Sequence, residues 1–389
     1  MRFPLLIGAA LLASATTVHA NCGGGFSSFV NGLKAEAVDR GFDSATVNQF
    51  FRSVRQDQRT LNADRAQGVF KIGFTDFARR VISQSRMDIG RRNSDRYDAV
   101  FDQAEARFGM PRGVLLAFWA LETDYGAFQG DFNTLNSLVT LSHDCRRPEL
   151  FRPQIFAALE LYTHGDFDPE RTTGAWAGEI GMVQMLPEDI LTKGIDGDGD
   201  GHVYLKTSEA DALMSGANML SSLGWRAGEP WLQEVAVPGN LDWSETGLHT
   251  TKTGAEWAAL GVQPRWGSIR SDLPASLILP QGRKGPAFLG YPNFNVYFEW
   301  NQSFVYVTSA AYFATRLEGA PVFNAGNPDP TLSDGQMKAL QTKLAARGHD
   351  VGKIDGILGA GTRAAVRAEQ IRLGLPADAW PTTQLLNNL

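Results

Sequence analysis

Val114–Leu121 reads VLLAFWAL, eight consecutive apolar residues with no glycine or proline among them. A helix that is apolar on every side must be buried on every side. The run is far too short to cross a bilayer, which takes about 20 residues. It therefore demands a domain large enough to surround it. Glu122 ends the run, followed by Thr123, Asp124, Tyr125 and Gly126. A carboxyl on the last turn of a buried helix loses hydration and faces the negative end of the helix dipole. Both effects disfavour the ionised form. A carboxyl poised near neutrality can donate a proton and take it back. The alternatives are a structural carboxylate paired with an arginine, or one exposed where the helix emerges. Asp124, two residues on, points to another helix face and reads as solvated or as a structural partner.

The chain has 389 residues, 43% of them hydrophobic, enough for two or three domains. A net charge of −6 argues against a surface built for polyanions, so nucleic acid is not an expected partner. Met1–Ala20 has the pattern of a secretory signal: Arg2, the apolar stretch Leu5–Ala13, then small residues at Val18–Ala20. Asn21 is a poor neighbour for a lipidated Cys22, so the expectation is an exported, periplasmic chain without a lipid anchor or transmembrane segment. In such a compartment Cys22 and Cys145 either form one disulfide or remain two unrelated buried thiols; the disulfide is the reading adopted.

Residues 26–125 read mostly as helices. Phe29, Leu33, Ala37 and Val38 mark one, and Met87–Phe108 another that stops at Gly109. Arg152–Tyr162, Thr207–Leu223 and Ser303–Leu317 are helical, whereas 225–305 turns rich in Gly, Pro and Trp. Within it, Ser276–Leu279 and Asn295–Phe298 look like strands. Residues 319–331, with three prolines and no Lys or Arg, form a linker that few contacts should cross. Residues 332–389 are a separate small unit. Asp196, Asp198 and Asp200, with Gly201 following, match positions 1, 3, 5 and 6 of an EF-hand calcium loop, but Thr207 stands where the closing Glu belongs. The plain alternative is a solvated Asp/Gly turn.

Ala117–Gly130 (AFWALETDYGAFQG), Asn133–Phe151 and Gly174–Pro187 (GAWAGEIGMVQMLP) resemble, in order, the blocks of the B-type lytic murein transglycosylases. Arg59–Phe70 is similar to an earlier block. The likeness spans residues 25–318. It implies a mainly α (α+β) fold: a lysozyme-like catalytic domain over 21–318 with a small β-containing subdomain. It implies cleavage of the MurNAc–GlcNAc bond of peptidoglycan without water, no catalytic cofactor, and Glu122 as single acid and base. Tyr125, Gln184, Trp300 and Asn301 are then substrate-facing, with Trp300 replacing a tyrosine and Ala175 replacing the serine of some members. Arg146 and Arg147 are read as forks for substrate carboxylates, with a salt bridge as the alternative. The family's variant loop closes late, which adds His202, through its carbonyl, and Asp211 to the calcium ligands, with Glu209 as a substitute. Gln336–Leu389 resembles a three-helix peptidoglycan-binding module through Asp355, Gly356, Gly359 and Thr362, although Glu369 takes an aromatic position. A hydrolytic muramidase of the same fold and a non-catalytic wall-binding scaffold are the competing readings.

Overall fold

The computed structural model describes residues 22–66 and 72–389; the signal-like Met1–Ala20 lies outside the described residues. The chain is mainly helical. Val114–Ala120 is no more than 2% exposed, as an all-round apolar helix requires. The helix runs Arg112–Thr123 and is packed by Gln84–Arg96, Asp98–Phe108, Glu209–Ser222 and Phe304–Leu317. It ends because Asp124 and Tyr125 adopt positive φ (52° and 59°), so the chain turns sharply just after Glu122.

Several elements differ from expectation. Met87–Phe108 is two helices, Gln84–Arg96 and Asp98–Phe108, broken at Tyr97. Tyr97 packs on Trp119 and donates its hydroxyl to Glu209 at 2.6 Å, contacts between segments that local periodicity does not show. Val38 is exposed, because it is rotated off the stripe that buries Phe29, Leu33 and Ala37. Asn295–Phe298 is not a strand but part of the helix Pro292–Trp300. Pro292 suits the first helical position, and Asn293, Val296 and Tyr297 are buried at helical spacing. Packing overrides the β-propensity of the aromatics.

The β-containing part is a five-stranded antiparallel sheet, ordered Lys252–Thr253, Pro274–Ile278, Phe288–Gly290, Leu232–Ala236, Gln263–Pro264. One face closes over its own core around Trp257 and Tyr291, and the other joins the main core through Ile278 and Phe288. Residues 319–331 carry no helix or strand, yet they are fastened down. Phe323 is buried against Phe74, Phe288 and Tyr312, Asn327 donates to the Lys284 carbonyl, and Lys284 pairs with Asp329. The expectation of few contacts across this segment does not hold, because one buried aromatic anchors it. The C-terminal unit has the expected three helices, Asp334–Ala346, Ala360–Arg372 and Thr383–Asn388, around Leu340, Leu344, Val366 and Leu385. Cys22 and Cys145 form a disulfide that ties the start of the described chain to the helical domain.

Candidate active site

Glu122 sits on the last turn of the buried helix, with its carboxyl in a surround that excludes most water. Burial pushes its pKa up to about 7, and the negative charge of Glu179 adds to the rise. Two groups oppose it: the Tyr306 hydroxyl, which donates to Glu122 Oε1 at 3.1 Å, and a weaker interaction from Trp300. No lysine or arginine pairs with Glu122 among the described residues. A carboxyl with this balance of burial and partners is suited to exchanging a proton near neutral pH.

The surrounding turn is held by Thr123. Its hydroxyl donates to the Met182 carbonyl at 2.7 Å and accepts from Gly126 N–H at 2.9 Å. That clamps the helix end to the Gly181–Gln184 turn. Asp124 is a structural partner: it pairs with Arg86 at 2.8 Å, which turns it away from any role as a second acid. Tyr125 packs edge-on against Trp119 and donates its hydroxyl to the Arg86 carbonyl at 2.9 Å. Gln184 has a positive φ of 50° and donates to the Gly181 carbonyl at 2.7 Å. Trp300 lies edge-on to Phe118 and Tyr306, with ring centroids 4.5 and 5.4 Å away. Asn301 and Ser303 shape the turn between two helices: Asn301 Oδ1 accepts from Ser303 N–H, and the Ser303 hydroxyl caps the helix that carries Tyr306.

The carboxylate that Arg146 and Arg147 grip is the protein's own. Both guanidiniums converge on Asp64, which is 1% exposed, with Arg146 also bonding its carbonyl. The salt-bridge alternative describes them as they stand. Arg147 also lies close enough to Glu179 to oppose the rise that burial gives that carboxyl. Sequence reading missed Tyr306, Glu179 and Asp64. Tyr306 is 184 residues from its partner, and Glu179 and Asp64 carry no local signal beyond being acidic residues in the matching blocks.

In the Asp/Gly loop, carboxylate oxygens of Asp196, Asp198 and Asp211 lie within 4.8 Å of one another. Asp211 is fully buried. Its pKa is raised by burial first and by Asp198 in addition, although Tyr204 and Gly197 N–H groups bond it. Three hard oxygen ligands with one buried anion fit a divalent cation such as calcium. Asp200 falls outside the trio, Glu209 is taken by Tyr97, and the His202 ring is turned to Asp166 at 2.7 Å. The late-closing Asp211 is thus the residue that joins the loop, not Thr207.

In the C-terminal unit, the motif residues build a turn around Gln341, a buried residue that sequence reading missed. Gln341 accepts from Gly356 N–H and donates to the Ile357 carbonyl and the Thr362 hydroxyl. Asp355 caps Ile357 N–H, and Gly359 precedes the second helix. Glu369 is 4% exposed and bonded by His349 and Arg372. An internal ion cluster stands where the resemblance implies an aromatic residue.

Comparison with known proteins matches this arrangement. Residues 25–315 match the family described as the transglycosylase SLT domain, and residues 333–389 one described as a peptidoglycan binding domain. The chain belongs to the transglycosylase SLT family. It is 28% identical over 212 residues to the membrane-bound lytic murein transglycosylase B of Escherichia coli strain K12. That match spans 54% of this chain and 57% of the relative. The structure of SltB3 from Pseudomonas aeruginosa in complex with NAG-anhNAM-pentapeptide superposes with a TM-score of 0.86 at 35% identity. It covers 94% of this chain and 99% of that one, both domains included. The Escherichia coli lytic transglycosylase Slt35 in complex with calcium gives 0.65 at 24% identity over 77% of this chain and 96% of its own. That likeness shows the shared fold. No helix among the described residues is long and apolar enough to cross a membrane.

Proposed function

We propose that this chain is an exported lytic transglycosylase that cleaves the MurNAc–GlcNAc bond of peptidoglycan and leaves a 1,6-anhydroMurNAc end. The observation that carries the reading is a single carboxyl, Glu122, near pKa 7 with Tyr306 at 3.1 Å and no cationic partner among the described residues. A retaining glycosidase needs a second, ionised carboxylate beside the bond. Asp124, the carboxylate nearest in the chain, is occupied by Arg86. The nucleophile is therefore assigned to the substrate.

Protonated Glu122 gives its proton to the glycosidic oxygen, and the C1–O bond breaks with the electron pair leaving on that oxygen. The N-acetyl group of MurNAc stabilises C1. The Glu122 carboxylate, now held by the Tyr306 hydroxyl, removes the proton of the C6 hydroxyl. O6 bonds to C1, and Glu122 ends protonated. Atoms balance without water. Tyr125, Gln184, Trp300 and Asn301 shape the cleft for sugar, and Arg146 and Arg147 use their outer N–H groups on substrate carboxylates while Asp64 fixes their orientation. Asp196, Asp198 and Asp211 would hold a calcium ion, which supplies structural charge neutralisation and takes no part in the chemistry. Mass analysis of digested sacculi tests the reading. Anhydro ends are expected. Products one water heavier, with reducing ends, favour the muramidase.

A further inference from the structure

Between the catalytic domain and the C-terminal unit lies a cavity of about 360 Å³. His249 and Phe304 line it from one side, and Leu358, Arg363, Arg367 and Trp380 from the other. Arg363 and Arg367 stand one turn apart on Ala360–Arg372. Arg363 lies over Phe304 and Trp380, 4.7 and 5.9 Å from the ring centroids, and donates Nη2 to the Pro280 carbonyl. Arg367 is only 9% exposed, and its Nη1 meets the His249 ring.

Neither guanidinium pairs with a carboxylate among the described residues, and Nη1 of Arg363 and Nη2 of Arg367 have no hydrogen-bond partner. Each Nε is buried without one as well. Asp378 acts on both guanidiniums only through space, and the carboxylates nearby spend their hydrogen bonds elsewhere. Asp378 accepts from Arg283 N–H, Gln370 and Trp380 N–H, and Asp334 pairs with Lys338. Burial first, with help from Arg367 and against the opposing pull of Asp378, pushes Arg363 down to about 10, and the His249 imidazole, neutral or protonated, offers no negative charge. Two like charges one turn apart repel. Burying a charge without a partner is costly, and charged residues are seldom buried unpaired. A concave, mainly apolar wall with a few convergent charges is the form of a ligand site.

We propose that this seam is a second ligand site, which takes the terminal carboxylate of a stem peptide on Arg363 and Arg367 and packs its apolar body on Phe304, Leu358 and Trp380. The choice of a wall peptide as bearer rests on peptidoglycan being the substrate; the anion site rests on the seam alone. Capture of wall is then a property of both domains together, since the Gly356–Ala360 turn is one wall of the cavity.

The test is calorimetric titration of the full chain with acetyl-D-Ala-D-Ala, its C-terminal amide, and inorganic phosphate. Saturable binding of the acid is expected, at least tenfold weaker for the amide and for R367Q. Ala364 is an exposed residue of the cavity wall, so Ala364→Trp should block the site without removing a charge even if R367Q fails to fold. Phosphate binding as tightly as the dipeptide would overturn the peptide assignment in favour of a free anion. No saturable binding of any probe, or unchanged affinity in both variants, would overturn the site. Glu122→Gln protein should bind the dipeptide normally, so failure here and failure of the transglycosylase reading are separate results.

Discussion

Glu122 and Glu369 are both shielded carboxyls near the C-terminal ends of helices, one in each domain, and they behave in opposite ways. Burial works to raise both. At Glu122 only a phenol and an indole oppose it, Glu179 reinforces it, and the carboxyl reaches about 7. At Glu369 burial is outweighed by bonds from His349 and Arg372, with Arg347 beyond, and the carboxyl is held below its usual range. Burial alone therefore does not mark a reactive acid. The cations that the fold does or does not place beside it decide whether it moves protons or holds structure.

The comparison breaks first, and most severely, at Glu122. Glu122→Gln should lower turnover by about 10²–10⁴ or more, since one group serves both proton transfers. The same change should raise the melting temperature at pH 8 and do less at pH 5. A carboxyl whose folded pKa is raised stabilises below its unfolded pKa and loses that contribution as pH rises through about 7, and an amide carries no such penalty. Near-normal rates in a folded variant would remove Glu122 from the chemistry.

Glu369→Gln should do the reverse: destabilise the full chain by about 1–3 kcal/mol, by leaving Arg347, Arg372 and His349 without their carboxylate, while turnover of short soluble fragments stays unchanged. Loss of turnover with fold intact would mean that the two carboxyls are not functionally separate.

Asp211 sharpens the rule, because it is buried and raised like Glu122, but the counter-charge proposed for it is a metal ion. Calcium at about 100 times its dissociation constant should stabilise the chain by about 2.7 kcal/mol, read as a rise in melting temperature. Asp198→Ala should abolish the rise. A chelator that stops turnover of folded protein would contradict a purely structural ion.

The smallest effects lie in the pH profile. Glu122 must start protonated, so kcat/KM should fall above about pH 7. Tyr306→Phe removes a bond that favours the carboxylate and should move that limb up. Glu179→Gln removes a negative neighbour and should move it down. Each shift is expected to be about half a unit to one unit, worth about 0.7–1.4 kcal/mol. Shifts of the same sign in both variants would show that these two residues do not tune Glu122 electrostatically.

The sequence by itself determined the buried helix, because eight apolar residues in a row leave no polar face for solvent. It determined Glu122 at that helix's end, the helical halves with an intervening Gly- and Trp-rich sheet region, the small C-terminal unit and the spaced aspartates. Each of these is local: a run, a spacing or a shift in composition. Only the tertiary structure decided which distant groups meet. Tyr306 reaches Glu122 across 184 residues, Asp64 occupies the two arginines, Glu209 goes to Tyr97, and Asp211 rather than Thr207 closes the loop. Asn295–Phe298 became helix and residues 319–331 became a fastened strap because buried neighbours outweighed local preference. The pKa of a carboxyl is the sum of burial and every charge around it, and those neighbours come from all parts of the chain. That is why the position of the acid could be read from its own segment and its protonation could not.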